Sequence, residues 1–230
     1  MKRCIFIVED KLTDISGCLL TLQTILNAGF KKRQENEWKD IRLCLLHICE
    51  DGKKQGDYES RFKNAFQHSK EVMEENKLCS LDSVDYIAIP LSKEAYASGE
   101  VDELAKNIIV KQREYLKKKK FTSDFVQDFP AVSGSEAAYV LLMDIILVPG
   151  ENVDQERVQD HKPVLSSCLY AKFPKGHCIT YTNYSEYYGD KWAVLAGITS
   201  QEVPIERERL TRARAIYTPL RDRLYHALGI

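Results

Sequence analysis

Glu9 and Asp10, Asp144, and Thr182 are the residues whose types and places suit chemistry. Each closes or nears the end of an apolar run. Glu9-Asp10 follows Cys4-Ile5-Phe6-Ile7-Val8, Asp144 stands in Ala137-Ala138-Tyr139-Val140-Leu141-Leu142-Met143-Asp144-Ile145-Ile146-Leu147-Val148-Pro149-Gly150, and Thr182 ends His177-Cys178-Ile179-Thr180-Tyr181-Thr182. The first two runs read as strands buried on both faces. Open α/β sheets place their chemistry beyond the carboxyl ends of such strands, so three carboxylates and a hydroxyl would converge on one edge. Carboxylates so grouped repel one another unless a hard divalent cation such as Mg2+ sits among them. The same set suits phosphoryl transfer onto Asp144, with the cation neutralising phosphate charge and the hydroxyl donating to it.

The elements that must position these residues alternate. After the first strand, Thr13 or Asp14 can cap a helix whose Ile15, Leu19, Leu22 and Leu26 recur at helical spacing and which Ala28-Gly29 closes. Ile41 to Cys49 is a second buried strand, and strand-helix-strand order favours parallel pairing. The pattern changes between residues 50 and 135, where a helix over Tyr58 to Asn76, a strand Val84 to Leu91 and a helix with Val101, Leu104, Ile108 and Tyr115 on one face are expected. The lysines Lys117 to Lys120 suit the end of that helix, where the dipole favours cations. After the Asp144 strand come a short helix near Val164 to Phe173, the strand ending at Thr182, a helix over Tyr184 to Leu195, a weak strand Gly197 to Val203 and a closing helix from Ile205 to Leu228.

In this order the pieces resemble the receiver domain of two-component response regulators. The resemblance rests on Phe6-Ile7-Val8-Glu9-Asp10, on the Asp144 strand, on Ile179-Thr180-Tyr181-Thr182-Asn183-Tyr184-Ser185 and on Leu195-Ala196-Gly197-Ile198-Thr199-Ser200-Gln201-Glu202-Val203-Pro204. It covers residues 1–49 and 136–230. It implies a flavodoxin-like, doubly wound α/β fold: one receiver-like domain over residues 1–230, with a five-stranded parallel sheet in the order 2-1-3-4-5. Residues 50–135 then form a mostly helical insertion between strands 2 and 3. It further implies that Glu9, Asp10 and Asp144 hold Mg2+, that Asp144 accepts a phosphoryl group from a histidine kinase or phosphodonor, and that Thr182 contacts the phosphate.

The chain also departs from that family. Val203 stands where a lysine would pair with the phosphorylated aspartate, and Lys191 or Arg207 is not at the matching position. Losing that charge-assisted partner costs roughly 1.5–3 kcal/mol. The aromatic switch residue is also missing, with Ser200 nearest. The preferred reading is therefore a receiver-like signalling or adaptor module that works by contact with another protein, with an acidic Mg2+ pocket and impaired phosphoryl chemistry. Two alternatives stay open: a working receiver phosphorylated on Asp144, and a Mg2+-dependent hydrolase on a doubly wound sheet. Against a nucleotide enzyme, Gly17 and Gly29 fall in a helix and no glycine-rich phosphate loop is present.

Composition narrows the partners. With 33 basic and 34 acidic side chains, a net charge of -1 gives no global pull toward nucleic acid or anionic lipid. The last helix carries Arg207, Arg209, Arg212, Arg214, Arg221 and Arg223, but Glu206, Glu208 and Asp222 interleave, which reads as a mixed solvated face. The apolar N-terminal run is too short for a signal peptide or membrane span. Seven cysteines, mostly inside apolar runs and with no CxxC pair, read as thiols of a reducing cytoplasm. Cys178 with His177 reads as packing rather than a nucleophile pair.

Overall fold

The computed structural model describes residues 1–10, 12, 15–29, 38–50, 55–91, 101–132, 137–144, 164–181 and 221–230. Five strands form one all-parallel sheet: β1 (Lys2–Glu9), β2 (Ile41–Glu50), β3 (Val84–Leu91), β4 (Ala137–Asp144) and β5 (Cys178–Tyr181). Between them run α1 (Ile15–Gly29), α2 (Gln55–Glu75), α3 (Val101–Lys118), α4 (Ser123–Asp128) and α5 (Val164–Lys172), and residues 221–228 are helical.

The spatial order is β3-β2-β1-β4-β5. The fold is thus a doubly wound α/β sheet of the flavodoxin-like kind, with one correction to the expected order 2-1-3-4-5. Val84–Leu91 does not sit apart in an insertion; it pairs in parallel with β2, from Leu43 opposite Val84 to Glu50 opposite Leu91. The reason is the same βαβ logic that placed β2. α2 returns the chain over the face that α1 covers, and a right-handed crossover then lands on the free edge of β2. The expected strand Gly197 to Val203 and helix Tyr184 to Leu195 lie outside the described residues.

Side-chain alternation along the strands splits the core into two layers. Ile5, Ile7, Leu43, Leu45, Val140, Leu142 and Ile179 face α1, α2 and the helix over 221–228, meeting Leu19, Leu22, Leu26, Phe62 and Leu224. Cys4, Phe6, Val8, Cys44, Leu46, Tyr139, Leu141 and Met143 face α3, α4 and α5, meeting Leu104, Ile108, Tyr115, Phe129 and Leu169. A strand covered on both sides has no polar face, which is why β1 and β4 read as unbroken apolar runs.

The order reverses between β1 and β4. From β1 the chain winds outward through β2 to β3 on the α1 face, then crosses back to β4 and winds the other way through α5 on the opposite face. The helices that follow β1 and β4, α1 and α5, therefore lie on opposite faces. The carboxyl ends of those two strands are the topological switch point, where such sheets take their ligands.

Candidate functional site at the strand crossover

β1 delivers its acidic pair to that switch point. Glu9 is the last residue of the strand and Asp10 follows it; both are only 3 % exposed. The amide of Asp10 donates to Oε1 of Glu9 at 3.0 Å. On one side Glu9 stands opposite His47 of β2. On the other, the ladder pairs Val8 with Met143, so the next residues on the two strands are Glu9 and Asp144. Asp144 in turn stands opposite Tyr181 of β5. A row across the sheet thus reads His47, Glu9, Asp144, Tyr181, with neighbouring chains about 4.8 Å apart.

The structure brings the backbones of Glu9, Asp10 and Asp144 to one edge. The side chain of Asp144 and all of Thr182 lie outside the described residues, as do Ser200, Val203, Lys191 and Arg207. Among the described residues, no group of three or more His, Cys, Asp and Glu side chains is arranged to hold a metal ion. Glu9 and Asp10 nonetheless offer the donor chemistry Mg2+ uses, which is one or two carboxylates completed by water and substrate oxygens.

His47, which stands inside an apolar run of the sequence, belongs to this corner. His47 is 1 % exposed and points to the α1 and α2 side with Leu43 and Leu45. Its Nε2 lies 3.3 Å from the main-chain oxygen of Asp10, and its Nδ1 lies 2.7 Å from the hydroxyl of Tyr86 on β3. A carbonyl can only accept, so Nε2 carries the proton and Nδ1 accepts from Tyr86. Tyr58 of α2 meets the imidazole edge-on, with ring centres 4.8 Å apart. Burial, helped by neighbouring Cys49, Tyr58 and Glu59, pushes the Tyr86 hydroxyl well above its ordinary range, so it stays a donor. A lone histidine in an apolar run gave no signal, because its partners come from 37 and 39 residues away.

Other reactive-looking groups serve packing. His177 gives its Nδ1 hydrogen to the Tyr139 carbonyl at 2.9 Å and stacks on the Tyr139 ring at 4.7 Å. Beside it, burial pushes the Cys178 thiol up to about 12, so it carries almost no thiolate at neutral pH. Of the lysine run, Lys119 pairs with Asp85 at 2.8 Å, and Tyr115 donates to the same carboxylate. No described helix is long and apolar enough to cross a membrane.

No family model, curated protein or solved structure matches this chain. A dinucleotide site is disfavoured on chemical grounds, although the order 3-2-1-4-5 also opens dinucleotide-binding sheets. There the first turn is glycine-rich so that its amides can approach a pyrophosphate. Here that turn begins with two buried carboxylates, which would repel one.

Proposed function

We propose that the chain is a receiver-like signalling or adaptor module that acts through contact with a protein partner, a histidine kinase or a downstream effector. Its pocket is the acidic corner at the β1/β4 crossover. Glu9, Asp10 and Asp144 would hold Mg2+, and Thr182 would contact a phosphoryl group on Asp144. The observation that supports this most is the register that sets Glu9 and Asp144 on neighbouring strand ends, with Asp10 next in the chain.

The cation supplies positive charge that offsets the carboxylates and phosphoryl oxygens. The chain's own residues do the rest. Glu9 pins the Asp10 amide, Asp144 is the nucleophile, and Thr182 donates to the phosphate. Val203 contributes no charge where a lysine would, so phosphoryl chemistry at Asp144 is impaired and contact remains as the output. A cytoplasmic setting suits the free thiols of Cys4, Cys44, Cys49, Cys79, Cys168 and Cys178.

Beryllofluoride with Mg2+ tests the reading. Saturable binding that raises the melting temperature and is lost in Asp144→Asn supports the pocket. Val203→Lys should then tighten it, because it restores a cation beside the phosphoryl oxygens. Rapid labelling of the wild type by acetyl phosphate, with no gain from Val203→Lys, would identify a working receiver instead. Turnover of a phosphorylated substrate would identify a hydrolase, and no response to either reagent would remove the pocket.

A further inference from the structure

We infer that His47 is the positioning residue of the acidic pocket: locked in one tautomer by Tyr86, its imidazole holds the main chain of Asp10 and thereby aims the Asp10 carboxylate. The inference rests on the cation-pocket reading above, and it assigns to that pocket His47 and, through Tyr86 on β3, a strand outside the residues the receiver resemblance covers.

Three relationships carry it. The first is burial with both ring nitrogens satisfied. An imidazole taken out of water costs free energy unless each nitrogen finds a partner, and here one finds the Asp10 carbonyl and the other the Tyr86 hydroxyl. The second is that Asp10 is held from both sides. Its N–H bonds the Glu9 carboxylate and its C=O accepts from His47, so the peptide groups flanking its α-carbon are both fixed.

The third relationship is the enclosure of the ring. His47 stands on β2, Tyr86 on β3 and Tyr58 on α2, so three elements set the plane of the imidazole before any ligand arrives. Phe62 of α2 backs Tyr86 with ring centres 6.1 Å apart. A ligand-bearing residue steadied through a hydrogen-bonded outer partner is the usual way a cation site gains precision, and losing such a partner typically costs about 10–100-fold in affinity. Leucine at position 47 would pack with Leu43 and Leu45 more cheaply, so the histidine is accounted for by the bonds it makes.

The test is Mg2+ binding, by calorimetry on the full chain, for wild type, His47→Gln, His47→Leu and Tyr86→Phe, with melting temperature as a control for folding. His47→Leu should bind at least about tenfold more weakly. His47→Gln should stay close to wild type, because its amide nitrogen reaches the Nε2 position and still donates. Core packing alone would not produce that rescue. Tyr86→Phe frees Nδ1 and should fall between the two. Without metal, nitrogen chemical shifts of the His47 ring should show a protonated Nε2 and a bare Nδ1.

Wild-type affinity in His47→Leu, or a ring protonated on Nδ1 alone, would overturn the inference and leave the pocket standing. Should His47→Leu fail to fold, wild-type affinity in Tyr86→Phe overturns it instead. No Mg2+ binding by the wild type would overturn the pocket itself, and with it the role of His47.

Discussion

Gly29 closes α1 directly against the ring of Tyr225: a Cβ there would lie 2.5 Å from Cε1 and 2.7 Å from Cζ. The ring is not free to retreat, because its hydroxyl donates to the Ile25 carbonyl at 2.7 Å and Arg221 lies over it at 5.9 Å. Gly29→Ala therefore overpacks the junction between α1 and the helix over 221–228. Overpacking costs about 1–3 kcal/mol, and the gain in helix propensity at a terminal residue is smaller than that. The melting temperature should fall by roughly 2–12 °C for a chain of this size. An unchanged or higher value would show that the ring moves freely.

Arg3 ties the start of β1 to the same helix. Its Nε donates to Leu228 O at 2.8 Å and its Nη2 to Gly229 O at 3.2 Å, satisfying carbonyls that a helix end leaves open. Arg3→Met keeps most of the volume and removes the donors. A loss of about 1.5–3 kcal/mol is expected for bonds made by a charged group. Amide exchange should speed up selectively over residues 221–230. Uniform acceleration across the sheet would contradict a local clasp.

Gln112 sits fully buried on α3, and neither atom of its amide has a hydrogen-bond partner among the described residues. An unpaired buried amide costs about 1–3 kcal/mol. Gln112→Met, similar in length and flexible enough to fill the space, should stabilise the protein in urea unfolding. Destabilisation would mean that the amide is satisfied by a group outside the described residues.

Three buried thiols give the stability a slope at high pH. Burial pushes Cys4, Cys44 and Cys178 above the ordinary value of 9.0, Cys178 to about 12. Their folded-state protons are held more tightly than in the unfolded chain. Their contribution is therefore complete below pH 9 and is lost as pH rises through the folded values, because the unfolded state ionises first. Unfolding free energy should decline steadily above pH 9, and Cys178→Ala should make the decline shallower. An identical slope in that variant would exclude Cys178 as a source.

What was legible in the sequence follows from what is local. β1, β2 and β4 announced themselves because burial on both faces leaves an uninterrupted apolar run. The inner faces of α1 and α3 showed at helical spacing, with Leu19, Leu22 and Leu26, and then Leu104, Ile108 and Tyr115, all buried. Val84–Leu91 was readable as a strand but not as a neighbour of β2, since its pairing depends on where α2 returns the chain. α4, at six residues, is too short to display a period. Glu9 and Asp10 stood out as acids at a strand end. His47 did not, because its role exists only once β1, β2 and β3 lie side by side.

The placement of β1 also bears on how the protein is made. The earliest strand is the middle of the finished sheet, and its partners in β4 stand 135 residues later, from Lys2 opposite Ala137 onward. At about 5–20 residues per second, ribosomal synthesis takes roughly 7–27 s to cover those residues, and until then one edge of Cys4-Ile5-Phe6-Ile7-Val8 has no partner strand. Throughout that interval β2 can cover only one edge of β1. The nascent chain thus keeps one edge of this apolar segment open until β4 is made, which makes it a natural target for chaperones and a place where aggregation would begin.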